Sequence, residues 1–412
     1  MERRKDASGM MAASILRLTS CFKITQASMR KKNIAMLFGM SFLPNQGRYQ
    51  RSFNEARSLA RAGHNVVVLA WDRDLKSPEQ EMLDGVRVER LRVPAGFQAG
   101  PLKTFPRLLK FYRKALSRLK EMDADVVHCF NLDPVVPALL AARLRKKPFV
   151  LDLCEPNYYG NWKPAYRPLH AVVSFLEKAV SRRADYLFVH NRYQVEKFKS
   201  YGVTRLEQIG SYPNRPSIAE NPCVSDRTDD AVIGRIGSIY EDNGVEELVA
   251  AFTVLLKEFP RLRLLLAGKV APRYHGIFEA LIAPIRDRVD ATGAFSFSDM
   301  PALYSRIDVS VMLYIRNEHF INVTPTKFFD SLASGVPLVT SDIGGLREII
   351  EQHHCGIVVD ETDCASICGG LKRLIQDPAL RKTLAENGLR LAKETYNWEA
   401  QEQRFIEIYN SL

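Results

Sequence analysis

The sequence predicts an α/β chain built as two doubly wound, parallel-sheet domains in series, facing each other across a cleft. Three observations predict it. From residue 33 onward, short β-branched and apolar runs alternate with amphipathic segments of helical period, the pattern of a parallel sheet covered on both faces. A polar break, SIAENPCVSDRTDD at 217–230, interrupts that alternation once, as an interdomain linker does. The alternation then restarts and runs to the end of the 412 residues, a length that accommodates two ordinary cores.

The elements follow in order. Residues 1–32 are basic and without pattern, and read as a flexible extension. NIAMLFGM reads as a strand, QRSFNEARSLARAG as a helix and HNVVVLAW as the next strand. ADVVHCF, the helix DPVVPALLAARLRKK, PFVLDL and ADYLFVH continue the rhythm, so residues 33–216 form one domain. After the linker, AVIGRIGSI, the helix GVEELVAAFTVLLKEF, LRLLLAG, RVDATGAF, IDVSVMLY and GIVVD build a second domain over 231–394. The helix WEAQEQRFIEIYNSL ends the chain, and residues 395–412 are expected to cross back to the first domain. Two such domains in series leave one natural binding place, between the strand C-terminal edges.

Composition narrows the function. Apolar residues at 46% and charged residues at 25% are those of a folded soluble chain. No run approaches the ~18–20 apolar residues that span a bilayer, and Arg17 interrupts the patch MMAASIL, which argues against a secretory signal. Seven scattered cysteines, an odd number, point to reduced thiols and a cytoplasmic setting. Cys364 and Cys368, near His353, His354 and Cys355, do not have zinc-site spacing, so no metal is expected. The net charge of +11 suits a polyanionic substrate or anionic lipid. Nucleic acid is disfavoured, because no finger, aromatic RNA-binding motif or helix-turn-helix pattern is present.

One stretch concentrates chemistry: NVTPTKFFDSLASGVPLVTSD, residues 322–342. Thr324 reads as an N-cap and Pro325 as the first helical residue. Phe328, Phe329, Leu332 and Ala333 recur at helical spacing, and Gly335 and Pro337 end the helix. Lys327 and Asp330 are three apart and share a face. A helix start backed by a lysine offers an anion site, most naturally for phosphate; the alternative is a solvated surface pair.

Taken in order, these segments resemble the retaining glycosyltransferases of GT-B fold, family four in the usual classification, from about residue 33 to the end. RSFNEARSLARAGHNVVVLAWDRD, ADVVHCFNLDPVVPALLAARL, VLDLCE and YPNRP resemble the N-terminal units and hinge turn. IGSIYEDNGVEELVAAF and PTKFFDSLASGVPLVTSDIGGLREII resemble the donor-binding segments. The resemblance implies two Rossmann-like domains, no cofactor, a nucleotide-sugar donor as co-substrate and a glycan or lipid-linked acceptor. Its two glutamates, eight apart, fall on Asn322 and Asp330, so one keeps its charge and one does not. Its diphosphate-binding Arg and Lys fall on Ser238 and Asn243, which leaves Lys327 as the replacement cation and Arg235, two before Gly237 on a strand, as a weaker one. Backbone around Thr324 and Thr326 would face the phosphates. On the acceptor side the resemblance implies His128 as a catalytic candidate, with Phe130 on the family's second histidine position. It also implies Arg51 (with Glu55 one turn on) and Glu155 as acceptor-side candidates, the alternatives being a surface ion pair and a capping or loop carboxylate; Gly47, just before that helix, would let the backbone approach a ligand there.

Two readings of different class result: an active retaining glycosyltransferase, or a catalytically silent protein of the same fold that binds nucleotide, glycan or a partner. A sugar-nucleotide epimerase would need further acid–base residues. Surplus charge is concentrated in PLKTFPRLLKFYRKALSRLK, residues 101–120, where Lys103, Arg107, Lys110, Arg113, Lys114, Arg118 and Lys120 stand with no acid among them. Interleaved leucines and aromatics make this helix a candidate for the anionic inner face of the cytoplasmic membrane. The competing reading is a helix packed on the sheet with a solvated basic side.

Overall fold

The computed structural model describes residues 30–43, 50–96, 100–154, 167–317 and 320–412. In the N-terminal half the chain runs β1 (Asn33–Phe38), α1 (Gln50–Arg61), β2 (Asn65–Asp72), β3 (Gln80–Leu83), β4 (Val86–Arg92), α2 (Gly100–Glu121), β5 (Val126–Phe130), α3 (Val135–Leu144), β6 (Phe149–Leu153), α4 (Arg167–Ser181), β7 (Tyr186–Val189), α5 (Arg192–Ser200) and β8 (Leu206–Gln208). The second half runs β9 (Val232–Ile236), α6 (Val245–Leu255), β10 (Arg263–Ala267), α7 (His275–Ile282), β11 (Val289–Gly293), α8 (Met300–Tyr304), β12 (Val309–Met312), α9 (Thr326–Ala333), β13 (Leu338–Ser341), α10 (Leu346–His353), β14 (Gly356–Val359), α11 (Cys364–Gln376), α12 (Pro378–Glu394) and α13 (Trp398–Ser411).

Apolar, β-branched strands buried on both faces dictate parallel pairing under helices. The first sheet has the order β3-β4-β2-β1-β5-β6-β7-β8 and the second β11-β10-β9-β12-β13-β14. Among the described strands only β3 runs antiparallel, to β4. That hairpin falls in a stretch to which the sequence reading assigns no strand. Its turn is Asp84-Gly85, with φ of 47° and 84°, which aspartate and glycine tolerate best. In both sheets the strand order reverses beside the first strand of the half, β1 next to β5 and β9 next to β12. Ligands of doubly wound sheets bind at that reversal, beyond the strand C-termini.

Each sheet is covered on both faces. In the first, Phe111, Ala115 and Leu119 of α2 join Ala138 and Ala141 of α3, Val180 of α4 and Phe198 of α5 on one side. On the other side, Phe53, Ala56 and Leu59 of α1 pack with Trp398, Phe405, Ile408 and Tyr409 of α13. The end of the chain therefore lies in the core of the first half. Asn397 starts α13 by accepting from the Ala400 amide, and the Trp398 indole donates to Ser58 Oγ at 2.8 Å. The 217–230 segment is tethered rather than loose: the amides of Ala219 and Cys223 donate to the carbonyls of Ala333 and Gly335 at the end of α9.

Candidate active site

The helix that carries Lys327 and Asp330 is α9, and it starts one residue later than its sequence implies. Pro325 is the residue before the helix, in extended conformation and with no side-chain cap. Thr324 is therefore not the N-cap; its hydroxyl donates instead to the Gly344 carbonyl at 2.9 Å. The far end matches the pattern: Phe328, Phe329, Leu332 and Ala333 are buried, and Gly335 takes a φ of +63°. Thr326 is exposed at the helix start, and Lys327 and Asp330 are half-buried.

Lys327 reaches across to the turn after β9. A Cβ on Gly237 would stand 1.8 Å from Lys327 Cε and 2.9 Å from its Nζ, so the lysine stem lies directly over that glycine. Gly237 has a φ of +134°, and on its other side Gly268 is so close that a Cβ there would meet the Gly237 carbonyl oxygen at 1.9 Å. Ser238 is exposed beside it. Asn243 and Arg235, by contrast, are buried and bonded within the turn itself. Asn243 is buried, and its amide spans the turn to the Ser238 carbonyl at 2.6 Å. Arg235 is only 2% exposed. Its guanidinium donates to the Asn243 carbonyl at 2.6 Å and lies near the Tyr314 ring. Both shape the turn from below. Among the described residues no ion pair joins Lys327 to an acid. Burial pushes the Asp330 carboxyl up to about 7, against the opposing pull of the Lys327 charge.

Asn322 and Thr324 line an interdomain cavity of about 640 Å³ with His190, Asn191, Tyr212, Gly344 and Glu348. Asn322 ends a short 3₁₀ turn, and its carbonyl accepts from the Asn191 side chain at 2.7 Å. The close fit of Gly344 holds the loop from the other side, since a Cβ there would stand 2.1 Å from the Val323 carbonyl oxygen.

His128 and Arg51 lie elsewhere. Both belong to a cluster sealed beneath α1, in which Arg51 binds Glu55 Oε1 and Asp152 Oδ1. His128 Nδ1 meets the Tyr409 hydroxyl, and its Nε2 stands 3.8 Å from Glu55 and 3.9 Å from Asp152. His128 is 0% exposed, so it is not placed to touch an acceptor. Arg51 with Glu55 is a buried pair rather than a surface one. Burial pushes His128 down to about 4 and Glu55 well above the carboxylate range, with Asp152 adding to the latter. Burial thus disfavours the charged forms of both the imidazole and the Glu55 carboxyl around the one guanidinium. The facing atoms of Glu55, His128 and Asp152 lie within 4.8 Å of one another, close enough for a metal ion. Arg51 already neutralises one carboxylate, however, and a divalent ion would leave a net positive charge with no water around it. Gly47 and Glu155 lie outside the described residues. Cys364 and Cys368 sit one turn apart on α11, with sulfurs 3.9 Å apart, while Cys355 is buried.

Residues 220–391 match the family described as glycosyl transferases group 1, and residues 50–210 match a glycosyl transferase 4-like domain. The chain thus matches glycosyltransferase models in both halves, the group 1 model in the second and the 4-like model in the first. A glycogen synthase of Mycobacterium tuberculosis is 25% identical over 372 residues, spanning 85% of this chain and 88% of that one. The fold is GT-B. The sucrose-phosphate synthase of Thermosynechococcus elongatus superposes with a TM-score of 0.72 at 22% identity, over 92% of this chain and 99% of the other. HepE of Anabaena, solved in complex with UDP and glucose, gives 0.68 at 16% identity, over 92% and 100%.

Two residues of this glycosyltransferase escape the sequence reading: His190 and Asn191, at the end of β7. Their signal was present, as a strand run ending in His-Asn before a helix, where Asn191 Oδ1 caps α5 by accepting from the Gln194 amide at 3.0 Å.

Proposed function

We propose that this glycosyltransferase takes a nucleotide-sugar donor on its C-terminal half. The sugar then passes, with retention of anomeric configuration, to a glycan or lipid-linked acceptor on its N-terminal half. The observation that carries the reading is Lys327 laid over the Gly237 turn, beside Asp330, at the C-terminal edge of the second sheet. A cation with backbone N–H groups at a helix start opposes a diphosphate, and a carboxylate on the same face accepts from hydroxyls. The UDP and glucose bound by Anabaena HepE support the donor class. As the bond from the anomeric carbon to the diphosphate oxygen breaks, charge grows on the leaving phosphate, where Lys327 stabilises it. The acceptor oxygen bonds to the anomeric carbon from the same face, and its proton passes to the leaving phosphate oxygen.

Radiolabelled UDP-, GDP- and ADP-sugars incubated without acceptor test the reading. Slow sugar release from donors of one base is expected. No release and no nucleotide binding would favour the silent relative, which the neutral Asn322 and the internally bonded Asn243 recommend.

The acceptor side is proposed to meet an anionic membrane. Most of the apolar face of α2 is engaged by the core, through Phe111, Ala115 and Leu119, and Arg118 is paired with Glu89 at 2.7 Å. Phe105 and Leu109 remain exposed among Arg107, Lys110, Arg113 and Lys114. On the same side of the sheet, Leu140 and Leu144 of α3 and Val172 and Phe175 of α4 are exposed as well, Phe175 at 71%. Apolar tips among basic residues fit an anionic surface, and no described helix is long and apolar enough to cross one. The chain should co-sediment with vesicles containing phosphatidylglycerol at low salt, but not with phosphatidylcholine alone. Binding should fade as salt rises and drop when Arg107, Lys110, Arg113 and Lys114 become Glu. Indifference to anionic vesicles at low salt would leave a soluble acceptor.

A further inference from the structure

Three consecutive residues at the turn from β7 to α5 each bond across to the second half of the chain. His190 Nε2 meets the Thr324 carbonyl at 3.1 Å. The Asn191 amide donates to the Asn322 carbonyl at 2.7 Å. Arg192 pairs with Glu348 on α10 at 3.3 Å. The Arg192–Glu348 pair is exposed on both sides and contributes little. The other two are buried and specific. His190 is 6% exposed and Asn191 6% exposed. Ser211, on the crossing segment, lies 3.4 Å from His190 Nδ1. With that nitrogen accepting, Nε2 carries the hydrogen and donates. Burial, with the nearby Arg51 charge, pushes His190 down to about 4.

Both acceptors, the carbonyls of Asn322 and Thr324, belong to the short loop that leads into α9, ahead of Lys327 and Asp330. On its own side that loop is fixed by the Thr324 hydroxyl on Gly344 and by the Gly344 amide on the Ile321 carbonyl. The loop is thus held from both halves of the chain at once, and rotation of one half away from the other releases two of its carbonyls.

We propose that His190 and Asn191 are positioning residues that tie the donor-side loop to domain closure, so that the start of α9 takes its donor-binding shape only when the halves are together. This rests on the donor-site reading above. Asn191 offers a clean test because it does two jobs. Asn191→Ser keeps an N-cap acceptor for α5 but removes the amide that reaches Asn322, whereas Asn191→Ala removes both. His190→Gln keeps a donor where His190→Ala does not.

Hydrogen exchange in the ligand-free protein should show residues 320–326 exchanging about tenfold faster in both Asn191 variants, with α5 loosened only in the Ala variant. Titration with UDP, GDP and ADP should show the diphosphate that binds the wild type weakened roughly three- to tenfold by Asn191→Ser and His190→Ala. His190→Gln should recover most of that affinity, and the melting temperature of Asn191→Ser should stay near that of the wild type. An Asn191→Ser protein with wild-type exchange and affinity would show that the residue only caps α5, and would overturn the proposal. Faster exchange, with none of the three diphosphates binding the wild type, would instead overturn the donor-site reading, and the positioning role with it, while leaving the contact in place.

Discussion

Asp330→Asn should lower turnover about a hundredfold, the scale of one positioned electrostatic contact in a water-poor site. The residue sits on the second turn of α9, half-buried, with burial pushing its carboxyl up to about 7 against the pull of the Lys327 charge. Only the ionised form accepts hydrogen bonds with both oxygens, so kcat/KM should climb as pH rises through about 7. The Asn variant should lose that rise. Stability runs the other way. A carboxyl whose folded pKa lies above its unfolded value favours the folded state while it is protonated, and that contribution is lost as pH rises through about 7. Melting temperatures of wild type and Asp330→Asn should therefore agree near the acid end of the range, with the variant the more stable in alkaline buffer. A variant with wild-type turnover, or one that keeps the pH limb, would remove Asp330 from the site.

The alternation of buried strands and amphipathic helices made both sheets legible, because a parallel strand buried on both faces has to be apolar throughout. α9 was legible for the same reason: its four apolar positions and its terminating glycine are local signals. Its start lies one residue later than the local pattern indicates, because Thr324 has a better partner in Gly344, twenty residues on, than in its own helix. The hairpin of β3 and β4 carried an Asp-Gly turn flanked by alternating residues, but its weakly apolar strands gave a faint period. His128 and Arg51 show the opposite failure. Their residue types suit chemistry, and only the fold reveals that Tyr409, 281 positions from His128, closes over them. Spacing of i and i+4 looks the same on a surface pair and on a buried one. What spacing could not show at all was the contact of His190 and Asn191 with the donor-side loop, which depends on how the two halves meet.

Lys327→Ala should weaken binding of a free nucleoside diphosphate tenfold to a hundredfold, and binding of the nucleoside hardly at all. A charge-assisted contact is worth roughly 1.5–3 kcal/mol, and here few other cations share the load. Asn243 carries no charge, and Arg235 is buried and bonded to the turn itself. The lysine is held in place by geometry, because its stem crosses Gly237 where no side chain would fit. Gly237→Ala therefore provides an independent route to the same loss. A methyl there would collide with Lys327 Cε at 1.8 Å and force an alanine to a φ of +134°, so the ammonium would be displaced without being removed. Calorimetric titration of both variants with diphosphate and with nucleoside separates the outcomes. If Lys327 opposes the phosphates, both variants lose the diphosphate selectively, and raising the salt concentration narrows the gap between wild type and variant. Equal weakening of the two ligands by Lys327→Ala would mean that the side chain supports α9 and the Gly237 turn, and that the diphosphate is held by backbone N–H groups alone.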